Sequence, residues 1–172
     1  MICKLLFSLL ALLSVGSITA FGCLCGQGSD DRSIRDKWIA TINGSTAVFS
    51  GKVVGFEYRK GVKVESAEER KLKDPDFTYE TKVIKFQVDR WWKAGLSPTV
   101  ELFSNEIKGS DGFGRSSSCD YSFAKGETYL VFADGSSSAL RSSSCSRTMS
   151  TKVNWFDELL DIIGPGTAAD DK

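Results

Sequence analysis

The spacing of apolar positions divides the chain into segments of different period. An unbroken apolar run from Leu5 to Val15, preceded by Lys4 and followed by small residues, opens the sequence. Asp30 to Asn43 (DDRSIRDKWIATIN) then repeats apolar residues every three or four positions, which puts Ile34, Trp38, Ile39 and Ile42 on one face of a short amphipathic helix. Asp30 and Asp31 stand where acids complement the dipole at its start. Ala47 to Tyr58 (AVFSGKVVGFEY) is β-branched and aromatic, and Gly51 and Gly55 mark places where a strand bulges or bends. Lys60 to Asp76 is charged, ends in Asp74-Pro75-Asp76, and reads as an exposed loop or hairpin tip.

Phe77 to Lys93 alternates, with Val83, Lys85, Gln87 and Asp89 opposite Ile84, Phe86, Val88 and Arg90. That is a long half-buried strand finishing in Trp91-Trp92. Pro98 to Phe103 is a third, short strand, and the Gly/Ser-rich stretch Ser104 to Ser118 reads as a mobile loop. Thr128 to Ala133 (TYLVFA) is a continuous apolar strand, Asp134-Gly135 a turn, and Ala139 to Cys145 the fifth strand. Thr151 to Ile163 carries Val153, Phe156, Leu159, Leu160 and Ile163 at helical spacing and stops at Gly164-Pro165. Residues 164–172 are expected to form a disordered tail. The order of elements predicts a mainly β chain: a five-stranded Greek-key barrel of the OB type, with a short N-terminal helix and a C-terminal helix. An open sandwich is the alternative.

The opening run has the layout of a secretory signal peptide and is too short to span a membrane. Cleavage after Ala20 or after Gly22 fits, and Gly22↓Cys23 better suits the small-x-small preference, giving a leader of 1–22 and a domain of 23–163. The product is expected to be a monomer that is secreted, or periplasmic in a Gram-negative cell. The chain has 22 basic and 22 acidic residues, and Lys4 leaves with the leader. Such a balance argues against a nucleic-acid binder, which usually carries a basic stripe. No later stretch is long and apolar enough to cross a membrane. Lipidation of Cys23 would anchor the chain, but Ala20 and Phe21 are poor residues ahead of a lipidated cysteine.

Cysteine supplies the candidate chemistry. Cys3 goes with the leader, leaving Cys23, Cys25, Cys119 and Cys145, an even number that reads as two disulfides in an exported chain. A Cys23–Cys25 ring is disfavoured by disulfide geometry, so both bridges should run from the N-terminal pair to the distant pair, in either of two arrangements. A four-cysteine zinc site competes, but the chain has no His and no C-x-x-C. Without His, Ser-His and Cys-His nucleophilic systems are absent, and the carboxylates are scattered apart from Glu68-Glu69. The expectation is therefore no enzyme and no cofactor. A binding barrel using Trp91, Trp92 and Phe103 is a further alternative.

C-L-C at 23–25, VFSGKVVG, FQVDRWWKAG, SSSCDYSFAKGETYLVFA and SSSCSRT, followed by the terminal helix, together resemble the N-terminal domain of the tissue inhibitors of metalloproteinases and the wider netrin-like family. The resemblance covers nearly all of residues 23–163. It implies the OB barrel and the pairs Cys23–Cys119 and Cys25–Cys145. It also implies that the α-amine and carbonyl of Cys23 chelate the catalytic zinc of a metalloprotease, that Leu24 enters the protease's specificity pocket, and that Ser117 and Ser118 contact the cleft. The chain departs from the animal inhibitors in lacking a third disulfide and a C-terminal disulfide-rich domain, and in having Leu24 where a small polar residue is usual. The other function open to such a domain is a non-inhibitory binding module whose disulfides are purely structural.

Overall fold

The computed structural model describes Cys23, Cys25 and residues 31–95 and 97–169. The expected leader 1–22, Leu24 and the last residues of the expected tail, 170–172, lie outside the described residues. In chain order the elements are α1 (Ile34–Gly44), β1 (Ala47–Arg59), α2 (Glu65–Lys73), β2 (Tyr79–Lys93), β3 (Thr99–Gly109) and β4 (Gly114–Arg115). They continue with β5 (Thr128–Ser136), β6 (Ala139–Arg141), β7 (Met149–Ser150), α3 (Phe156–Ile163) and β8 (Thr167–Ala168). The chain is mainly β, built among the described residues on one antiparallel sheet with three helices.

Central strand β1 pairs with β2 along nearly its whole length and, over Ala47–Lys52, with β5 on its other side. The β1–β2 register shifts between Ser50 and Gly51 and again between Val53 and Gly55. The first glycine is required by close approach: a Cβ on Gly51 would lie 2.6 Å from the Gln87 carbonyl oxygen. Here the sheet bends, as the two glycines predict.

Alternation sorts side chains into two apolar layers. Ala47, Phe49 and Val53 of β1 join Ile84, Phe86, Val88, Trp91, Tyr129 and Val131 in the larger core. Val48, Leu130 and Phe132 point the opposite way, where Trp38 of α1 and Leu159 of α3 cover them. The unbroken run TYLVFA therefore reflects a strand buried on both faces, since neither face offers a place for a polar side chain.

The sheet contains eight strands rather than the expected five, and the barrel is not closed. Its order is β4-β3-β2-β1-β5-β6, with β7 added to β5 and β8 to β2, and no ladder joins β3 to β6 among the described residues. β6 ends at Arg141, short of the expected Cys145, because the chain then turns to place the cysteine. The gap is crossed by a side chain: Arg141 Nη1 donates to the Ser104 carbonyl at 3.3 Å and to Asn105 Oδ1 at 2.9 Å.

Four further expectations are corrected. The charged stretch 60–76 contains helix α2, whose acids Glu65 and Glu68 lie in the first turn and whose bases Arg70, Lys71 and Lys73 lie near its end, both matching the helix dipole. Only Ala67 of α2 is buried, in a small cluster with Val64, Phe77 and Ile107, so the helix shows no apolar period in sequence. β3 runs on to Gly109 through the first part of the expected mobile loop and returns as β4. Residues 164–169 are ordered rather than a disordered tail: Thr167 and Ala168 pair with Trp91 and Arg90, and Ala169 is buried. In α1 the N-cap is Ser33, whose hydroxyl accepts from the Asp36 amide. Trp38 is buried, whereas Ile34 and Ile39 of the expected apolar face are exposed.

Asp111 closes the β3–β4 tip, accepting from Arg115 at 2.6 Å and from Arg70 of α2 at 3.1 Å. The Arg115 hydrogen bond holds its carboxyl down to about 2, against an ordinary value of 3.8. The stabilisation is therefore fully present above about pH 4 and is lost as the pH falls towards 2. Asp111→Asn should flatten that part of the acid limb of a melting-temperature profile, with the rest carried by Glu57, Glu101 and Glu106, which hydrogen bonds from Lys85, Arg59 and Lys82 respectively also hold low. Phe132→Ala, at a side chain with no exposed area, should cost about 3–5 kcal/mol in urea unfolding.

Candidate functional site

The two cystines lie side by side at one end of the sheet. Cys23 is bonded to Cys119 and Cys25 to Cys145, with Cα–Cα distances of 4.9 and 5.3 Å. Cys23 Sγ is 3.7 Å from Cys145 Sγ, so the bridges touch. Three of the sulfurs, those of Cys23, Cys25 and Cys145, lie within 4.8 Å of one another, and that of Cys119 is not in the group. Engaged as cystines they offer no thiolate, and zinc binds cysteine as thiolate.

Each distant cysteine is presented by the same local device. In SSSC at 116–119 the Cys119 amide donates to Ser117 Oγ at 3.2 Å, and the Asp120 amide donates to the Ser117 carbonyl at 3.1 Å. In SSSC at 142–145 the Cys145 amide donates to Ser143 Oγ at 3.2 Å, and the Ser146 amide to the Ser143 carbonyl at 3.1 Å. Serine hydroxyls two residues before an amide favour this turn. The two turns are stitched together by the Asp120–Ser143 bridge and by the Ser144 amide donating to the Cys119 carbonyl at 2.8 Å.

Both turns are anchored to the sheet by polar groups. Asp120 accepts from Ser104 Oγ at 2.6 Å, from the Asn105 amide at 2.8 Å and from Asn105 Nδ2 at 2.7 Å, tying the first turn to β3. Buried Thr148 ties the second to β5: its hydroxyl accepts from the Phe132 amide at 3.0 Å and contacts Ser142 and Ser146 hydroxyls at 2.7 and 3.0 Å. Behind Cys119, Tyr121 and Phe123 run into the larger core through edge contacts with Tyr129 and Phe86. That burial pushes the Tyr121 hydroxyl above its ordinary value.

Among the expected site residues, the structure thus brings Cys23, Cys25, Cys119, Cys145, Ser117 and Ser118 to one edge, with Ser118 exposed and Ser117 half-buried. A cavity of 260 Å³ opens beside Ser117, with Phe56, Lys82, Glu106, Asp120 and Tyr121 in its wall. Trp91, Trp92 and Phe103 do not make a surface platform. Trp91 and Phe103 are buried, Trp91 Nε1 donates to the Ser97 carbonyl, and Trp92 Nε1 donates to the Gly164 carbonyl at 2.8 Å. Asp120, Ser143, Arg141 and Thr148, all used here, escaped the reading of the sequence. The repeated SSSC tetrad was the available signal for the two turns; nothing local marked Arg141 or Thr148.

No protein-family model matches the chain, and a search of curated proteins finds no similar sequence. Among the described residues no helix is long and apolar enough to cross a membrane.

Each bridge closes a loop near or above a hundred residues, separated by 96 and 120 positions. In the chain-entropy account such a loop is worth about 4–5 kcal/mol, and native disulfide removal typically costs about 2–5 kcal/mol. The double variant Cys25→Ser/Cys145→Ser should therefore lose about 2–5 kcal/mol in urea unfolding, with the second bridge still present by mass.

Proposed function

We propose that this chain is an exported netrin-like domain, related to the tissue inhibitors of metalloproteinases, that caps the catalytic zinc of a metalloendopeptidase with its first residue. The pair of bridges at Cys23 and Cys25 is the observation that carries the reading. An arm tethered at alternate residues loses little further freedom on binding, which lowers the ordering cost of association. The sheet order β3-β2-β1-β5-β6, with Arg141 spanning its ends, supports the kinship with OB-type domains although the barrel stays open.

The chemistry follows from the partner's metal. A catalytic zinc keeps one position for water beside three protein ligands. An α-amine and the carbonyl of the same residue form a five-membered chelate that replaces that water. The amine binds in its neutral form, and with an ordinary value near 7.7–8.0 it reaches that form at little cost around neutral pH. Leu24 then supplies an apolar group for the pocket next to the metal, worth about 1.5–3 kcal/mol if fully buried. Ser118, exposed on the turn that holds Cys119, adds contact along the cleft.

A second reading, a non-inhibitory binding module with structural bridges, is favoured by one observation: Ser117 Oγ already serves the Cys119 amide. The two are separated by the start of the exported protein and by a one-residue extension. Terminal sequencing should begin at Cys23, and the intact mass should show both bridges. Placing one alanine before Cys23 should abolish inhibition across a panel of zinc endopeptidases while leaving the melting temperature unchanged. Equal inhibition with the added alanine, or a native start at Phe21, would remove the chelation mechanism.

A further inference from the structure

Sulfurs that are not bonded to each other come into contact where the two cystines meet. Cys23 Sγ lies 3.7 Å from Cys145 Sγ, although each is bonded elsewhere, to Cys119 and Cys25. Cys25 and Cys145 are exposed, whereas Cys23 and Cys119 are half-buried, so a thiolate from solution reaches the Cys25–Cys145 bridge first. The turns that carry Cys119 and Cys145 are held without help from sulfur. Asp120 is bound to β3, Thr148 to β5, and the Ser144 amide donates to the Cys119 carbonyl at 2.8 Å. Opening a bridge therefore frees the arm and leaves both turn cysteines in place.

We infer that the touching cystines form a thiol–disulfide exchange site, at which an incoming thiolate moves the bridge between arm and turns to Cys23–Cys145. The thiolate bonds to Cys25 Sγ, and the Cys25–Cys145 bond breaks with its electron pair on Cys145. The Cys145 thiolate then attacks Cys23 Sγ. Cys23–Cys145 forms, Cys23–Cys119 breaks, and Cys119 leaves as a thiolate that takes a proton from water. A monothiol stays on Cys25 as a mixed disulfide, with no net oxidation or reduction. A dithiol releases itself from Cys25 by closing its own disulfide, and the protein gains two thiols, at Cys25 and Cys119. Opening Cys23–Cys119 first leads to the same pairing, because a Cys23 thiolate attacks Cys145. Loop length does not oppose the change: the new bridge spans 122 positions against 96 and 120, and closure entropy hardly separates such lengths. The exchange takes Cys23 off the first turn and unties Cys25. Its effect on a partner rests on the zinc-capping reading, under which it turns inhibition off.

The test incubates the full exported chain with glutathione at about pH 8, where thiolate is present, then quenches with acid and alkylates free thiols. Bridges are mapped by mass, with fragmentation of the arm peptide. Cys23–Cys145 should make up roughly a tenth or more of the single-bridge protein, with glutathione on Cys25 and the alkyl label on Cys119. Cys25→Ser needs no added thiol: its one free thiol should be shared between Cys145 and Cys119. In Cys145→Ser the attacking sulfur is gone, and the label should stay on Cys25 because a Cys23–Cys25 ring is disfavoured. Single-bridge protein holding native pairs alone would overturn the inference, as would label confined to Cys145 in the Cys25 variant. So would label spread to Cys119 in the Cys145 variant, which would mean scrambling without the sulfur contact. The map reads bonds and not inhibition, so failure of the exchange and failure of zinc capping are told apart.

Discussion

Burial of the central strand on both of its faces is the constraint on which the rest of the molecule is built. β1 lies between β2 and β5, sends Phe49 and Val53 into one apolar layer, and sends Val48 into the other beneath α1 and α3. Every residue from Ala47 to Gly51 is buried, so the neighbours of β1 must supply surface above and below. β5 meets the same demand with Leu130 and Phe132 on one side and Tyr129 and Val131 on the other. The bend at Gly51 lets β1 serve both neighbours, since the Gln87 carbonyl leaves no room for a side chain there.

The cysteine region hangs on this frame through polar groups instead of apolar ones. Thr148 reads the backbone of Phe132 in β5, and Asp120 reads Ser104 and Asn105 in β3. The two serine turns therefore inherit their separation from the sheet, and the arm at Cys23 and Cys25 inherits its place from the turns. A cystine pair in contact is thus a consequence of where β3 and β5 lie. The same polar region explains why the sheet stays open: β6 is cut short to make the second turn, and Arg141 spans the remaining gap.

Charge is distributed unevenly on an almost neutral chain. Across the outer face of β1, β2 and β3, acids and bases neutralise one another in short-range pairs, which are exposed and contribute little each. At the β1–β2 end, Lys60, Lys63, Lys71 and Lys108 have no ion pair among the described residues. Formal neutrality of the whole sequence hides this asymmetry, because net charge carries no information about which residues the fold brings together.

The sequence by itself determined what local periodicity and local stereochemistry can encode. The mainly β character, the long β2 strand, the bend at Gly51, the continuous apolar strand TYLVFA and the halt of α3 at Gly164 were all legible there. An oxidisable set of four cysteines was legible too, but two cross-pairings remained equally open to the residues alone. Only the tertiary structure decided between them, because pairing depends on which turn each arm residue reaches. It also decided the helix at 65–73, whose single buried residue, Ala67, sets no pattern. The last strand, β8, was invisible for the same reason: two residues pair with Trp91 and Arg90 only because the chain returns past them. The reach of Arg141 across the open seam joins residues nearly forty positions apart, and no local property of a sequence specifies such a distance.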